Sequence, residues 1–204
     1  MNILIAGCSS AGAKLAGELC REGHDVSVVD PYESAQSLLP DDYTGYFTTG
    51  LLIDEDVLKN AGIENCDALA AVSEDDSVNI MVAQLAQTVF GIKRVVASLQ
   101  DPFREEKFKS LIPTICPTNI SVSSLRGCLL REETGRVTFG SATMDIRLMP
   151  VPEHLIGVRA SEIGARKGES VIGVYRPGTG LTLTADDRVN LCKDDCLVVA
   201  RIVD

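Results

Sequence analysis

A glycine-rich turn near the start of the chain contains the residue types that could hold a nucleotide. The apolar run Asn2–Ala6 has strand length and leads into Gly7-Cys8-Ser9-Ser10-Ala11-Gly12. A helical pattern follows, and a second apolar strand ends at Asp30. This layout is typical of dinucleotide-binding units. Gly7 would permit the tight turn, Gly12 would let the helix pack close to the strand, and the helix N-terminus would offer N–H groups to a phosphate. Asp30 would accept hydrogen bonds from ribose hydroxyls and repel a 2′-phosphate.

The turn departs from the Gly-x-Gly-x-x-Gly pattern at its middle glycine, which is Ser9 here. The serine could narrow the approach of a pyrophosphate, or its hydroxyl could donate to a phosphate oxygen. An α/β fold that keeps the turn without a ligand is the alternative. A serine-nucleophile elbow is disfavoured, because Ala11 occupies its final glycine position and the chain has only His24 and His154 as bases. No catalytic residue is therefore predicted.

Composition excludes several classes of function. The 204 residues carry a net charge of −10, which argues against non-specific nucleic-acid binding. No apolar run approaches the roughly 20 residues that span a bilayer, and the chain starts directly in a strand, so we expect a cytoplasmic protein that reaches the membrane through a partner. The seven cysteines form no Cys-x-x-Cys, and no histidine lies near Cys192 and Cys196, so no metal site is predicted. A redox role for Cys8 stays open.

Further strands and helices alternate after Asp30, which predicts a doubly wound parallel sheet. The expected strands are 46–49, 68–72, 95–99 and 112–116, with helices opening at Asp54, after 73–76, at Pro102 and near Ser121. Within 73–76, Ser73 and Asp76 are candidates both for helix caps and for ligand contacts. The ligand crevice of such a sheet lies at the carboxyl ends of its strands. This rule assembles the following candidate residues: Gly7 to Gly12, Asp30, Thr49 with Gly50, Ser73 and Ser98.

The pattern changes near residues 133–135, beyond which the segments are short and rich in β-branched residues. Strands are expected at 141–149 and 171–175 and within 191–203, with a short helix at 160–164. We therefore expect a Rossmann-like domain over 1–135, followed by a small α+β domain over 136–204. About 68 residues is a small core, so docking or dimerisation is expected to stabilise the second domain.

The whole chain resembles the regulatory potassium-transport proteins of the TrkA/Ktr and RCK (regulator of conductance of K⁺) type. The first lobe resembles their nucleotide-binding domain, and the tail resembles the TrkA-C domain that follows it. The following segments carry the resemblance: Gly7 to Gly12, 22–26, Val29-Asp30, 56–63, 71–79, 155–157 and 195–199.

This resemblance implies an adenine nucleotide (AMP, ADP or ATP) or NAD(H) lying across the glycine turn, with its ribose at Asp30 and Pro31. It implies an adenine near Thr49, Gly50 and Leu51, and a nucleotide close to Ser73 and Asn79. Four positions depart from the family pattern. Ser9 replaces a glycine, Ser10 and Ser98 stand where arginines are common, and Leu51 stands where aspartate is usual. Because guanidinium groups are the strongest phosphate partners, we expect weakened triphosphate binding.

The function implied by the resemblance is a non-catalytic regulatory subunit that senses the nucleotide and gates a membrane potassium channel or transporter. The family forms dimers that assemble into tetramers or rings, so a homo- or hetero-oligomer is implied. An NAD-dependent oxidoreductase is one alternative, although the chain has two histidines and no Tyr-x-x-x-Lys pair. A degenerate scaffold subunit without a ligand is the other.

Overall fold

The computed structural model describes residues 1–130, 134–139, 142–163, 168–184 and 189–203. The chain divides into two compact units, Met1–Ser121 and Val122–Asp204. The helix Pro117–Leu130 runs across this division. The expected boundary at 135/136 lies after that helix and stays a prediction.

The first unit is built on a six-stranded, fully parallel sheet. Its strands are β1 (Asn2–Ala6), β2 (Asp25–Asp30), β3 (Tyr46–Thr49), β4 (Ala68–Ala71), β5 (Arg94–Ser98) and β6 (Thr114–Ile115). They lie in the order β3-β2-β1-β4-β5-β6. The chain runs outward from β1 in both directions, so the point where the order reverses lies between β1 and β4. The predicted doubly wound sheet is confirmed.

Helices connect these strands. They are α1 (Ser10–Arg21), α2 (Glu55–Asn60), α3 (Asp76–Thr88), α4 (Pro102–Phe108) and α5 (Pro117–Leu130). The local signals explain their ends. Asp54 accepts hydrogen bonds from the N–H groups of Asp56 and Val57, and Gly62, with a φ of 92°, follows the last turn of α2. A 3₁₀ segment at Glu33–Leu38 was not predicted.

The two faces of the sheet are both covered, as the apolar strands require. Along β1, Ile3 and Ile5 pack with Ala13 and Ala16 of α1, whereas Leu4 packs on the opposite side in the cluster that contains α2 and α3. The side chain of Leu4 is 0% exposed. Burial on both faces makes β1 a rigid base for the turn that follows it.

The second unit contains an antiparallel sheet in the order β10-β9-β11-β8-β7. Its strands are β7 (Thr134–Phe139), β8 (Ala142–Pro150), β9 (Glu169–Arg176), β10 (Gly180–Leu183) and β11 (Cys196–Val203). Its core contains Val151, Ala160, Val174, Leu191, Leu197 and Val199.

Several predictions for this unit need correction. The strand expected within 191–203 is found as β11 at Cys196–Val203, whereas β10 was not predicted. The expected helix at 160–164 is a 3₁₀ turn at Ala160–Glu162. Arg131, Ser141 and Gly164, at ends of expected elements, lie outside the described residues. Within the described part of the chain, no helix is both long and apolar enough to cross a bilayer.

Candidate functional site

The glycine turn is crowded by backbone at both of its outer glycines. Gly7 has a φ of 105°, and a Cβ atom placed on it would lie 2.4 Å from the backbone nitrogen of Ser73. A Cβ atom on Gly12 would lie 2.2 Å from the carbonyl oxygen of Gly7. Because backbone cannot move aside cheaply, only glycine fits at either position. The tight turn at Gly7 and the close packing at Gly12 therefore require glycine, and contact of either residue with a nucleotide stays a prediction.

Ser9 ties the turn to the neighbouring strand. Its Oγ accepts a hydrogen bond from the N–H of Gly12 at 3.3 Å, which makes it the N-cap of α1, and it donates to the carbonyl oxygen of Val72 at 2.8 Å. The hydroxyl proton is therefore already used by the residue that follows β4. The expectation that it donates to a phosphate oxygen does not describe this structure.

The first turn of α1 is open to a ligand. Ser10 and Ala11 are exposed, and no acidic side chain lies in this turn. Among the described residues, no hydrogen bond to the backbone N–H of Ser10 or Ala11 is found. Free N–H groups at a helix N-terminus attract anions, so this turn can receive a phosphate.

Asp30 holds the turn and also faces the space beside it. Its Oδ2 accepts from the N–H of Cys8 at 2.7 Å, and its Oδ1 accepts from the N–H of Tyr32 at 2.9 Å. The residue is only 8% exposed. Each carboxylate oxygen still has acceptor capacity, since a carboxylate offers about four lone-pair sites. Asp30 can therefore shape the turn and accept ribose hydroxyls at the same time.

Asn79 clamps the ends of β4 and β5 together. Its Oδ1 accepts from the N–H and the hydroxyl of Ser73, at 2.9 and 2.7 Å. Its Nδ2 donates to the carbonyl oxygens of Ser73 and Ser98, at 2.9 and 2.8 Å. The amide is fully used and the residue is 1% exposed. Asn79 therefore positions Ser73 and Ser98. Its amide has no hydrogen-bonding group left for the expected contact with a nucleotide.

In the acidic run before α3, Asp75 and not Ser73 or Asp76 caps the helix. Asp75 is the N-cap of α3, since its Oδ1 accepts from the N–H groups of Ser77 and Val78. These hydrogen bonds lower the pKa of the Asp75 carboxyl. Asp76, expected as a cap or a ligand contact, instead accepts from the N–H groups of Gln100 and Asp101 and is 8% exposed. It anchors the segment that follows β5.

A cavity of about 750 Å³ lies at this edge of the sheet. Half of the predicted residues line it: Cys8, Ser9, Ser10, Asp30, Pro31, Leu51 and Ser73. The others do not line it: Gly7, Ala11, Gly12, Thr49, Gly50, Asn79 and Ser98. Several of these shape its walls. Gly50, for example, donates its N–H to the carbonyl oxygen of Asp30 at 3.0 Å.

Sequence reasoning missed the wall residues that no motif marks. They are Tyr32, Ser34, Ala35, Ser37, Leu38, Leu52, Ile53, Glu74, Asp75 and Val78. The run 32–38 follows Asp30 and Pro31 in the sequence, and that proximity was the available signal. Four large side chains of the cavity wall are exposed: Tyr32 72%, Leu38 52%, Leu51 62% and Ile53 40%. Such a rim suits a flat apolar ligand group.

The thiol of Cys8 lies in the cavity wall but is held protonated. Its Sγ donates to the carbonyl oxygen of Ala35 at 3.2 Å. Burial, assisted by the charge of Asp30, raises the pKa of this thiol to about 11. Since the thiolate is the reactive form, the geometry gives no support to a redox role for Cys8. Among the described residues, no group of three or more His, Cys, Asp or Glu side chains could hold a metal ion.

The charges that line the cavity are all negative. Asp30, Glu74 and Asp75 are its charged residues, and no lysine or arginine of the described part of the chain lines it. At the two positions where the family resemblance implies an arginine, this chain has serine. Ser10 lines the cavity wall, and the carbonyl oxygen of Ser98 accepts a hydrogen bond from Asn79 Nδ2. Phosphate would therefore be held by helix N–H groups rather than by cations.

A family model described as the TrkA-N domain matches residues 3–115. The chain belongs to the TrkA-N family. A relative named Trk system potassium uptake protein TrkA, from Streptomyces coelicolor, is 32% identical over 94% of this chain and 89% of its own length. A TrkA homolog from Pyrococcus horikoshii is 24% identical over 98% of this chain and 92% of its own. This TrkA-N chain is therefore a regulatory protein of potassium uptake and not an enzyme, as predicted.

Several solved structures share the fold of this chain at lower sequence identity. The GsuK channel bound to NAD superposes with a TM-score of 0.61 at 18% identity, over 98% of this chain and 37% of that chain. A Shewanella denitrificans Kef CTD in AMP-bound form gives 0.55 at 18% identity, over 64% of this chain and 80% of that chain. GsuK bound to ADP gives 0.56 at 20% identity, over 64% and 34%. These likenesses concern the fold, and this chain spans about a third of the GsuK chain.

Proposed function

We propose that the first unit senses an adenine nucleotide or NAD(H) in its cavity and that the bound state biases a membrane potassium transporter. One observation supports this most directly. The cavity lies at the strand-order reversal and brings an open helix N-terminus, a ribose-competent acid and an apolar rim together. Each of the three matches one part of an adenine nucleotide.

The adenine would pack against the apolar rim, between Tyr32 and the exposed side chains of Leu51 and Ile53. The ribose would bind at the remaining acceptor sites of Asp30, with Pro31 beside it. The phosphate would lie at the N–H groups of Ser10 and Ala11. NAD, AMP and ADP, named in the titles of structural neighbours, all share these parts.

Regulation would follow from coupling between the ligand and the strand ends. The glycine turn, β2 and β4 are joined by the hydrogen bonds of Asp30 and Ser9. A ligand that binds one arrangement of these loops more tightly shifts the population toward it. A potassium transporter subunit in contact with an oligomer of this chain, on the cytoplasmic face of the membrane, would read that shift.

The oligomer is supported by the surface of α5. Its large apolar side chains are exposed within the chain: Ile120 57%, Val122 57%, Leu125 62% and Leu129 81%. A helix with this much exposed apolar surface is stabilised when another subunit covers it.

Isothermal titration calorimetry of the ligand-free chain with AMP, NAD⁺ and adenosine tests the binding step. We expect binding, weakened about tenfold or more by Asp30→Asn, because the ribose loses a charged acceptor. Asp25→Asn is the matched control, since this exposed acid starts the same strand at its opposite end. No binding by any of the three to the folded chain would make the ligand-free scaffold the correct reading.

The gating step needs a separate measurement, namely potassium uptake by cells that express the transporter partner with this chain. Replacement of the wild-type chain by the Asp30→Asn variant should remove the dependence of uptake on nucleotide level. An unchanged dependence would show that the cavity does not control transport.

A further inference from the structure

We infer that the cavity selects among adenine ligands by their net charge, and that Glu74 is the residue that sets this selectivity. The inference rests on the proposed function, because it concerns the same cavity. It goes further by ranking the ligands: NAD⁺ above NADH, and AMP above ADP above ATP. The ranking follows from the electrostatics of the cavity wall.

The first step is the sign of the wall. Among the residues that the structure describes, the charged side chains that line the cavity are Asp30, Glu74 and Asp75, with no lysine or arginine. Lys14, one turn further along α1, lies 3.9 Å from Glu18. Arg104, whose charge acts on Asp75, donates to the hydroxyl of Ser77 and lies 3.9 Å from Asp101. Lys14 and Arg104 therefore each lie near an acid outside the cavity wall.

The second step is that the three acids are not equivalent. Asp30 accepts from two backbone N–H groups, and Asp75 accepts from two N–H groups at the start of α3. These donors offset much of each charge. Glu74 is exposed, and within the described chain no hydrogen bond or ion pair to its carboxylate is found. Its charge is therefore the least compensated one that the ligand meets.

The third step is distance. A cavity of about 750 Å³ is roughly 11 Å across if it is treated as a sphere, close to the Debye length of about 8–10 Å at ordinary ionic strength. A bound ligand thus experiences the wall charges with incomplete screening. Each further phosphate from AMP to ATP adds roughly one negative charge. NAD⁺ is less negative than NADH, because its nicotinamide ring is cationic.

The size of the effect follows from Coulomb's law. With the effective dielectric constant found near protein surfaces and with screening by salt over about one Debye length, each added ligand charge should weaken binding by about threefold. We therefore expect ATP to bind about tenfold more weakly than AMP, and NADH about threefold more weakly than NAD⁺. The redox state of the nicotinamide pool would then change the occupancy of the site directly.

The test is calorimetry with the full chain, with a chelator present so that no divalent cation masks the phosphates. Adenosine, AMP, ATP, NAD⁺ and NADH are titrated into the wild type, Glu74→Gln and the control Glu33→Gln. Glu33 is exposed and precedes the cavity wall residue Ser34, but it does not line the cavity. Glu74→Gln should narrow the ratio of ATP to AMP dissociation constants by about three- to tenfold and leave adenosine binding unchanged. Glu33→Gln should leave the ratio as in the wild type.

Added potassium chloride should strengthen ATP binding and leave adenosine binding unaffected, because screening relieves repulsion. ATP binding as tight as AMP binding in the wild type, or a ratio that Glu74→Gln does not change, would overturn charge selection while adenosine and AMP binding keep the proposed function. Failure of adenosine and AMP alike to bind would instead refute the proposed function itself.

Discussion

Two buried aspartates, one in each unit, are held in opposite ways. Asp30 accepts only from backbone N–H groups and faces a cavity. Asp195, which is 2% exposed, accepts from Nε and Nη2 of Arg176, both at 2.7 Å, and from the N–H of Cys192 at 2.7 Å. Each acid thus receives the N–H of a cysteine, but only Asp195 receives a cation. Arg176 neutralises Asp195, which serves the fold, whereas no cation pairs with Asp30 within the described residues, so its carboxylate can still bind a ligand.

The largest effect on stability is expected from removal of Asp195, the acid that Arg176 neutralises. Asp195→Ala would leave the Arg176 guanidinium and the Cys192 N–H without their acceptor, so we expect the melting temperature to fall by roughly 5–10 °C. Nucleotide binding should not change. Thermal unfolding followed by circular dichroism measures the effect. Asp194→Ala, at the exposed neighbouring residue, is the control and should melt like the wild type.

Removal of Asp30, the acid that faces the cavity, should destabilise the fold less than removal of Asp195 does, but it should weaken nucleotide binding more. Asp30→Ala leaves the N–H groups of Cys8 and Tyr32 without an acceptor, which should lower the free energy of unfolding by about 2 kcal/mol. Asp30→Asn keeps one acceptor oxygen and should lose about half as much. Urea unfolding compares the two variants. Equal losses would mean that the hydrogen bonds to Cys8 and Tyr32 do not stabilise the turn.

The stability of the second unit should depend on pH through the carboxyl of Asp195. The hydrogen bond from Arg176 lowers the pKa of this carboxyl below its usual value near 3.8. Its contribution to stability is therefore complete above that value and is lost as the pH falls through the lowered pKa. We expect Asp195→Asn to reduce the acid dependence of unfolding below about pH 4 and to leave its slope between about pH 5 and 7 unchanged. A slope that changes near neutrality would contradict this assignment.

The smallest expected change concerns the two cysteines whose N–H groups serve these acids. With a pKa of about 11, roughly one Cys8 thiol in a thousand is ionised at pH 8. Cys192 is exposed, and its Sγ lies 3.3 Å from a nitrogen of the Arg176 guanidinium. Iodoacetamide should therefore label Cys192 well before Cys8, as read by peptide mass spectrometry. Faster labelling of Cys8 would show that its burial is not maintained in solution.

The sequence predicted best what depends on neighbours along the chain. The strand–turn–helix–strand unit from Asn2 to Asp30 was predicted because glycines, an apolar run and a terminal acid fix it locally. Asp54, Gly62 and Pro102 set helix ends for the same reason. Family resemblance added the potassium-uptake role, which composition and periodicity do not contain.

The remaining errors come from contacts that no local pattern encodes. The run 73–76 offers several candidate caps, and only the approach of residues 100–101 decides that Asp75 caps α3 while Asp76 anchors the next loop. No pattern in the sequence assigns a partner to the hydroxyl of Ser9, but in the fold it donates to the carbonyl oxygen of Val72, 63 residues away. The 3₁₀ segment Glu33–Leu38 is contacted by a residue distant in the sequence, because the thiol of Cys8 donates to the carbonyl oxygen of Ala35.

The central position of β1 has a consequence for synthesis. β1 leaves the ribosome before both of its neighbours: one edge pairs with β2, about 23 residues later, but the other edge pairs with β4, about 65 residues later. At translation rates of about 5–20 residues per second, that apolar edge stays uncovered for roughly 3–13 seconds. The nascent chain is therefore most exposed to aggregation, and most in need of a chaperone, before Ala68–Ala71 emerges.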